Sequence, residues 1–276
     1  MKFKIIVDSS SNLLNSYYQD KKDVAFKAVP LTIRIGQEEF IDNDELDVNR
    51  MLDVLRLNDG GQSSCPSPND YLRELDEAEY SFIITITSKL SGSFNSACVA
   101  RTMCKNPEHV FVIDSKGTAG SIVLIAEKLF ELIKENKEFS VITNEITAYR
   151  NSINLLFALD RFDNLVRNGR MSKLTAFIAE KIAIKPLCYA DDGEIKIKEK
   201  IRTFRGVIKR MTHYIGKMCE DTTNKICIIA HTRNESAALE LKKDIEENYH
   251  FKEVRVMENR GLCAFYALEG GLIVTF

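Results

Sequence analysis

The sequence predicts an α/β protein of two α/β domains: an N-terminal domain with a three-layer parallel sheet and a C-terminal domain with a mixed sheet and helices. Strand-like and helix-like segments alternate along the first half of the chain, which is the pattern of βαβ units. Strand segments such as FIITI at residues 82–86 are apolar throughout, as in strands buried on both faces. After about residue 150 a hairpin joins the alternation, so we expect domains at residues 1–152 and 153–276.

The N-terminal elements are runs of patterned residues separated by turn residues. Apolar and β-branched runs predict strands at residues 3–8, 25–36, 81–86 and 110–115. Apolar residues at helical spacing predict helices at residues 48–57, 69–79, 94–105 and 119–136. Pro30 predicts a break or a sheet edge within the second strand, because proline has no N–H to donate. The segment GGQSSCPSP at residues 60–68 predicts a loop.

The C-terminal elements include a hairpin. The turn residues Asp191, Asp192 and Gly193 predict a β-hairpin over residues 183–203. Strands are predicted at residues 153–160, 225–231 and 253–257, and helices at residues 173–183, 204–219 and 235–249. Residues 166–172 predict a loop, and residues 262–276 form two apolar pieces around a glycine pair.

Composition and charge argue against several classes of function. The 276 residues are 45% hydrophobic and 28% charged, which is typical of a soluble globular protein. The net charge of −2 argues against binding of nucleic acid. No apolar run approaches the ~18 residues that span a bilayer, so we expect no stable membrane insertion. The apolar part of MKFKIIVDSSS is too short for a signal peptide and predicts a first strand.

The seven cysteines and four histidines show no metal-ligand spacing. The cysteine count is odd and no pair has CxxC spacing, which indicates neither a disulfide framework nor a zinc site. Cysteines in apolar context are typical of proteins of the reducing cytoplasm. We therefore expect a cytoplasmic protein without a metal or a cofactor.

A loop rich in hydroxyl groups contains Ser91, Gly92 and Ser93, between a predicted strand and a predicted helix. In open α/β sheets, ligands bind beyond the carboxyl ends of the strands, where the free N–H groups of helix N-termini favour anions. No lysine of the Walker-A type follows, so a nucleoside triphosphate is not favoured. A simple capping turn is the alternative, and this motif alone favours it.

A second loop of the same kind contains Ser63, Ser64 and Cys65 and also leads into a helix. Helix capping is again the alternative, and this loop alone favours it. Two such loops after successive crossovers of one sheet are able to converge on one spot. The pair therefore indicates an anion site more strongly than either loop alone. Asp114, which ends another strand, is expected to cap the following helix.

Arg170 lies in a basic loop, RNGRMS, between the two predicted domains. A guanidinium there is able to lie over a bound carboxylate or phosphate. The alternative is an arginine at the surface that contacts only water.

A serine-dependent enzyme acting on a small phosphorylated or acyl substrate is the alternative function. The segment KLSGSFN does not match the GxSxG pattern of α/β-hydrolases. His231 ends a predicted strand but shows no evident link to Ser91. A catalytic triad is recognised by geometry, so the sequence leaves this alternative open.

Seven segments follow one another along the chain in a fixed order: DSSSNL, SSCPSP, SKLSGSFNSA, VIDS, NGRMS, AIKPL and KIRTF. This order of motifs resembles the DegV family over essentially the whole chain. The resemblance implies two α/β domains that hold a long-chain fatty acid such as palmitate, with no catalysis by the chain itself. It also implies lipid transport, or presentation of the fatty acid carboxylate to a fatty acid kinase partner.

The resemblance further implies which residues bind. The implied set is Ser63, Ser64, Ser91, Gly92, Ser93, Arg170 and Tyr266. Within it, the hydroxyls of Ser63 and Ser91 hold the carboxylate, and Gly92 and Ser93 add donors.

The sequence departs from the family motifs at four positions. Ser63 replaces a threonine and keeps the hydroxyl, Cys65 replaces a glutamine, Asn168 replaces a glycine, and Tyr266 stands roughly at the position of a histidine. The tyrosine keeps a hydroxyl donor. Loss of the histidine counts against a kinase partner more than it counts against lipid binding.

A fatty acid ligand requires an apolar cavity in the protein interior. A tail of about sixteen carbons gains at most ~12 kcal/mol at ~0.8 kcal/mol per buried methylene. A hydrogen bond to the carboxylate contributes about 1.5–3 kcal/mol before desolvation. The tail therefore sets most of the affinity and the serines the orientation, and we expect a long apolar cavity with few polar atoms.

A sensor, whose bound lipid controls association with a protein partner, is a third possible function.

Overall fold

Three β-sheets organise the chain in the computed structural model, which describes residues 2–18, 24–75, 77–171 and 184–276. The strands are β1 (Phe3–Asp8), β2 (Val24–Val29), β3 (Thr32–Ile35), β4 (Glu38–Ile41), β5 (Gln62–Ser64), β6 (Tyr80–Thr85), β7 (Val110–Asp114), β8 (Leu155–Ala158), β9 (Lys185–Asp191), β10 (Glu194–Ile201), β11 (Ile226–His231), β12 (Glu253–Glu258) and β13 (Leu272–Thr275). The described α-helices are α1 (Val48–Leu57), α2 (Pro68–Leu72), α3 (Ser93–Met103), α4 (Gly120–Lys134), α5 (Phe139–Ser152), α6 (Asp163–Arg167), α7 (Phe204–Met218), α8 (Glu235–Asn248) and α9 (Gly261–Ala267). None of the described helices is both long enough and apolar enough to cross a bilayer.

The first sheet consists of four parallel strands in the order β2-β1-β6-β7. Its strands are buried on both faces, because alternate residues of β6 enter different cores. Phe82 and Ile84 pack in the core that contains α4 and α5, whereas Ile83 packs in the core that contains α2 and α3. The predicted three-layer parallel sheet is confirmed.

The second sheet has six strands in the order β10-β9-β8-β13-β11-β12 and is mixed, with one parallel pair, β11 and β12. Leu156 of β8 packs in the core beneath α7 and α8, whereas Leu155 and Phe157 lie in a core on the opposite face. The hairpin β9–β10 turns at Asp192 and Gly193, whose φ angles are 48° and 84°. Such positive angles match the hairpin twist, and the predicted mixed sheet and its hairpin are confirmed.

Helix α4 is a layer that the two sheets share. It packs against β1 and β6 of the first sheet and against β11 and β13 of the second. Gly120 permits the close approach, since a Cβ there would lie 3.0 Å from the Cβ of Ile228. The division of the chain at residue 152 therefore stays a prediction.

A third sheet is antiparallel in the order β4-β3-β5. It agrees with the break predicted at Pro30 and corrects the loop predicted at residues 60–68. The run 25–36 is two strands in different sheets, divided at Pro30 as proline predicts. Residues 60–68 are not entirely loop, because Ser63 and Ser64 pair with Ile33 and Thr32 of β3. Pairing with a distant strand outweighs the turn-forming composition of this segment.

Three helical segments differ from the sequence prediction or lie beyond its test. Of the predicted helix 69–79, residues 69–72 belong to α2, whereas residues 73–75 and 77–79 form turns and bends. Helix α5 was not predicted, since Ile142 and Ile146 are its only fully buried residues and the apolar stripe is weak. The predicted helix 173–183 lies outside the described residues.

Candidate functional site

A cavity of about 300 Å³ lies where the loops after β5, β6 and β7 meet the face of the second sheet opposite α7 and α8. This is the carboxyl end of the first sheet, where ligands of open α/β sheets bind. The volume falls at the lower end of the range of about 300–1,000 Å³ for small-molecule pockets. Six of the seven predicted site residues line it: Ser63, Ser64, Ser91, Gly92, Arg170 and Tyr266.

The lining carries a hydroxyl cluster that consists of Ser63, Ser64, Ser91 and Tyr266. Ser63 Oγ and the Tyr266 hydroxyl are 2.8 Å apart and hydrogen-bonded. Only one of the two protons lies between these oxygens, so the other is free to be donated to a ligand. Cys65 lies close to Gly92, since its Sγ would be 3.1 Å from a Cβ at Gly92. Glycine at that position therefore brings the two serine loops together.

Ser91 Oγ is oriented by its own loop. It accepts a hydrogen bond from the Ser93 N–H at 3.2 Å. An oxygen that already accepts this bond still has its O–H to donate. Because Ser91 lines the cavity, that donor is available to an acceptor inside.

Ser93 itself is not in the lining of the cavity. Its side chain is fully buried, beside the carboxyl of Asp8 and the hydroxyl of Tyr71. A contact between its hydroxyl and a ligand stays a prediction. Its N–H donates to Ser91 Oγ.

Arg170 joins the serine loop to the loop that follows α6. Its Nε donates to the Leu90 carbonyl at 3.2 Å, and its Nη1 donates to the Asn168 carbonyl. Asn168, at the glycine position of the family motif, donates from Nδ2 to the Gly61 carbonyl at 3.0 Å and so reaches the start of β5. The arginine is thus a cation at the cavity that also fixes the Ser91 loop.

Asp114 does not cap the following helix, which corrects the expectation for it. Its carboxylate accepts hydrogen bonds from the N–H and hydroxyl of Ser88 and from the Lys116 N–H. The residue that precedes α4, Ala119, provides no side-chain cap. Asp114 therefore anchors the loop that carries Ser91.

The remainder of the cavity is mainly apolar. Leu155 and Phe157 of β8 and Ile273 of β13 face it from the second sheet, and Leu159 and Leu165 lie beside them. Other apolar lining comes from Leu31, Ile86, Leu90, Ala190, Ile195, Leu262 and Ala267. Individual apolar residues were not predicted for the site, because their alternation along a strand indicates a core as readily as a cavity.

The charges of the lining are positive among the described residues: Lys116 and Arg170 contribute, and no aspartate, glutamate or histidine does. Lys116 also forms an ion pair with Asp192 at the tip of the β9–β10 hairpin. This charge balance suits an anionic group.

The described lining contains no histidine, aspartate or glutamate beside its serines. His231 is buried at the end of β11, where its Nδ1 accepts the Asn234 N–H at 3.4 Å, and it does not line the cavity. Within the described residues there is likewise no group of three His, Cys, Asp or Glu side chains able to hold a metal ion. The geometry therefore gives the hydrolase alternative no specific support.

Comparison with known proteins decides the family. The sequence matches the family model described as "Uncharacterised protein, DegV family" over residues 2–272. The chain belongs to the DegV family. A DegV domain-containing protein of Streptococcus gordonii is 34% identical over 285 residues, covering 100% of this chain and 99% of that protein.

Solved structures of DegV relatives share the whole fold. The Streptococcus pneumoniae fatty acid kinase (Fak) B3 protein, loaded with linoleic acid, is 33% identical with a TM-score of 0.93, over 100% of this chain and 99% of that one. A DegV family protein from Eubacterium eligens, loaded with heptadecanoic acid, is 32% identical with a TM-score of 0.89, over 99% and 98% of the two chains. Both relatives therefore hold a long-chain fatty acid on the fold that this chain adopts.

Proposed function

We propose that this DegV protein binds a long-chain fatty acid such as palmitate in the cavity, with the carboxylate held by serine hydroxyls. The observation that carries the proposal is one cavity that combines a cluster of hydroxyl groups with a mainly apolar lining. The relatives loaded with linoleic and heptadecanoic acid support it, since each is at least 32% identical over nearly the whole chain.

The carboxylate is expected at the hydroxyl cluster. Ser91 donates its O–H, and the Ser63–Tyr266 pair donates the second proton. Arg170 and Lys116 supply positive charge to the lining of the same cavity. Tyr266 would thus replace the donor that the family histidine provides.

The tail is expected against the second sheet. Burial of about sixteen carbons gains at most ~12 kcal/mol at ~0.8 kcal/mol per methylene. Association and ordering costs remove several kcal/mol or more of this gain. Each hydrogen bond to the carboxylate adds about 1.5–3 kcal/mol less desolvation, so the tail sets the affinity and the hydroxyls the orientation.

An oriented carboxylate suits a carrier. We propose that the chain carries the fatty acid and presents its carboxylate to a kinase partner, without catalysing a reaction itself. Support comes from the relative described as the B3 protein of a fatty acid kinase.

Native mass spectrometry of freshly purified protein tests the proposal. We expect a co-purified fatty acid, or uptake of one molecule of added palmitate per chain. Absence of both would contradict fatty acid binding. Covalent labelling of a serine by a fluorophosphonate probe would favour the serine-dependent enzyme instead.

A further inference from the structure

Five consecutive polar residues, residues 8–12, form the last residue of β1 and the turn after it, and all five are buried. The relative exposures of Asp8, Ser9, Ser10, Ser11 and Asn12 lie between 0% and 6%. Burial of so many polar groups is unfavourable unless each is hydrogen-bonded. None of the five lines the cavity, so ligand binding does not account for them directly.

The first contact of the turn is with the Ser91 loop. Asp8 uses one carboxylate oxygen within the turn, where it accepts from the N–H and hydroxyl of Ser10. Its other oxygen accepts the Ile86 N–H at 2.8 Å. Ile86 is the first residue after β6 and begins the loop that ends at Ser91.

The middle of the turn forms hydrogen bonds with residues on two other sides of the cavity. Ser9 Oγ accepts the N–H of Leu31 at 3.0 Å. The Ser10 carbonyl accepts the Ala119 N–H at 2.9 Å and the Cys263 thiol at 3.1 Å. Leu31 and Cys263 both line the cavity, on the third sheet's side and on α9 respectively.

The end of the turn fixes helix α9, which carries Tyr266. Asn12 donates from Nδ2 to Asn259 Oδ1 at 3.0 Å, and its Oδ1 accepts the Arg260 N–H at 2.9 Å. Asp42, a second buried carboxylate, accepts the Leu262 N–H at 2.9 Å in the first turn of α9.

We propose that residues 8–12 are a positioning element that sets the spacing between Ser91 and Tyr266, the two arms of the carboxylate site, without touching the ligand. The inference rests on the proposed function, since it concerns how that site is held. One turn reaches the Ser91 loop through Asp8 and the Tyr266 helix through Asn12. Displacement of either end would misplace a hydroxyl while leaving the apolar lining of the second sheet intact.

Two isosteric substitutions test the inference. Asp8→Asn places an amide NH₂ against the N–H of Ile86 or of Ser10, because both carboxylate oxygens accept backbone N–H bonds. Asn12→Asp places an oxygen against Asn259 Oδ1. The matched control is Asp47→Asn, at an exposed aspartate that accepts the Arg50 N–H at the start of α1.

The readout is NMR of bound palmitate labelled with carbon-13 at the carboxyl carbon or at the terminal methyl. In Asp8→Asn and Asn12→Asp we expect a shifted carboxyl signal, an unchanged methyl signal and roughly tenfold weaker binding, the loss of about one hydrogen bond to a charged acceptor. Asp47→Asn should match the wild type in all three measurements. If Asp8→Asn does not fold, Ser10→Ala, which removes one hydroxyl donor to Asp8, should still shift the carboxyl signal.

The outcomes separate this inference from the proposed function. No bound signal in the wild type would refute fatty acid binding itself. A wild-type complex whose carboxyl signal is unchanged in the folded variants would overturn the positioning role alone. Equal changes at the carboxyl and methyl ends would also overturn it, because they would indicate general disruption.

Discussion

At the scale of single residues, Ser91 is the most sharply defined part of the candidate site. Its oxygen accepts the Ser93 N–H, so its proton is available to the cavity. We predict that Ser91→Ala weakens palmitate binding roughly tenfold, since one hydrogen bond to a charged acceptor is lost while tail burial remains. Isothermal titration calorimetry measures this loss.

The control for Ser91→Ala is Ser140→Ala, at an exposed serine of α5. It should bind palmitate as the wild type does. Methyl palmitate provides a second comparison, because its ester lacks the charged acceptor and should bind the wild type and Ser91→Ala almost equally. Wild-type affinity for palmitate in Ser91→Ala would remove this residue from the carboxylate site.

Two buried carboxyl groups give the protein a defined pH dependence. Burial raises the pKa of Asp8 to about 6, against hydrogen bonds from Ser10 and Ile86 that lower it. Burial likewise raises the pKa of Asp42 to about 6, against the hydrogen bond from the Leu262 N–H. Both groups bind protons more tightly in the folded protein than in the unfolded chain, where the pKa is about 3.9.

The sign of the effect follows from linkage. A raised pKa contributes stability that is complete below pH 4 and is lost as the pH rises through 6. For Asp8 we predict that the wild type loses about 3 kcal/mol of unfolding free energy relative to Asp8→Asn between pH 4 and 7, at about 1.4 kcal/mol per pKa unit. Urea unfolding of both proteins across this range measures the difference, and parallel pH profiles would contradict the prediction.

At the scale of elements, strands β8, β9 and β13 present one face to the cavity and form the expected tail site. Ala190 of β9 lines the cavity with a small side chain. We predict that Ala190→Phe fills part of the volume and reduces palmitate binding by more than tenfold, while a short acid such as octanoate is less affected. Competition with a fluorescent fatty acid measures both affinities.

The matched control for this substitution is Ala148→Phe on the exposed side of α5, which enlarges a side chain away from the cavity. It should leave both affinities unchanged. Undiminished palmitate binding by Ala190→Phe would place the tail elsewhere.

The elements that the sequence predicts well are those with strong patterns of their own. The parallel strands β1, β6 and β7 are apolar and bounded by turn residues, and the β9–β10 hairpin has an unambiguous Asp-Asp-Gly turn. Strand β5 could not be predicted from Gln62, Ser63 and Ser64, because it depends on pairing with β3, a contact between distant parts of the chain. Propensity is local, whereas this strand is a tertiary feature.

The candidate site was predictable to a similar degree. The order of the sequence motifs indicated seven site residues, and six of them line the cavity. It did not distinguish Ser91 from Ser93, since the direction of each side chain depends on where α3 begins. It also gave no sign of Thr87, Lys116 and Cys263, which reach the cavity only through the packing of the loops on the second sheet.

At the scale of the whole molecule, α4 couples the two large sheets. Its first residues are buried between them, and Gly120 lies against Ile228 and Thr275 of the second sheet. We predict that Gly120→Ala, whose Cβ would lie 2.9 Å from Thr275 Oγ1, destabilises the protein by about 1–3 kcal/mol through overpacking.

Because α4 packs against both sheets, the loss of stability should reach both of them. Hydrogen–deuterium exchange should show faster exchange in β6 and in β13 of Gly120→Ala, in the same proportion. Faster exchange confined to β13 would show that the sheets unfold independently and would support two separable domains at the predicted division.

The central claim is that a fatty acid lies in the cavity with its carboxylate at the hydroxyl cluster and its tail against the second sheet. A crystal structure with ω-bromopalmitate tests it most directly, because anomalous scattering locates the bromine at the end of the tail. We predict the carboxylate within hydrogen-bonding distance of Ser91 Oγ and the bromine against the apolar residues of the second sheet, such as Phe157. A bromine beside Ser91, or a lipid bound outside the cavity, would contradict the claim.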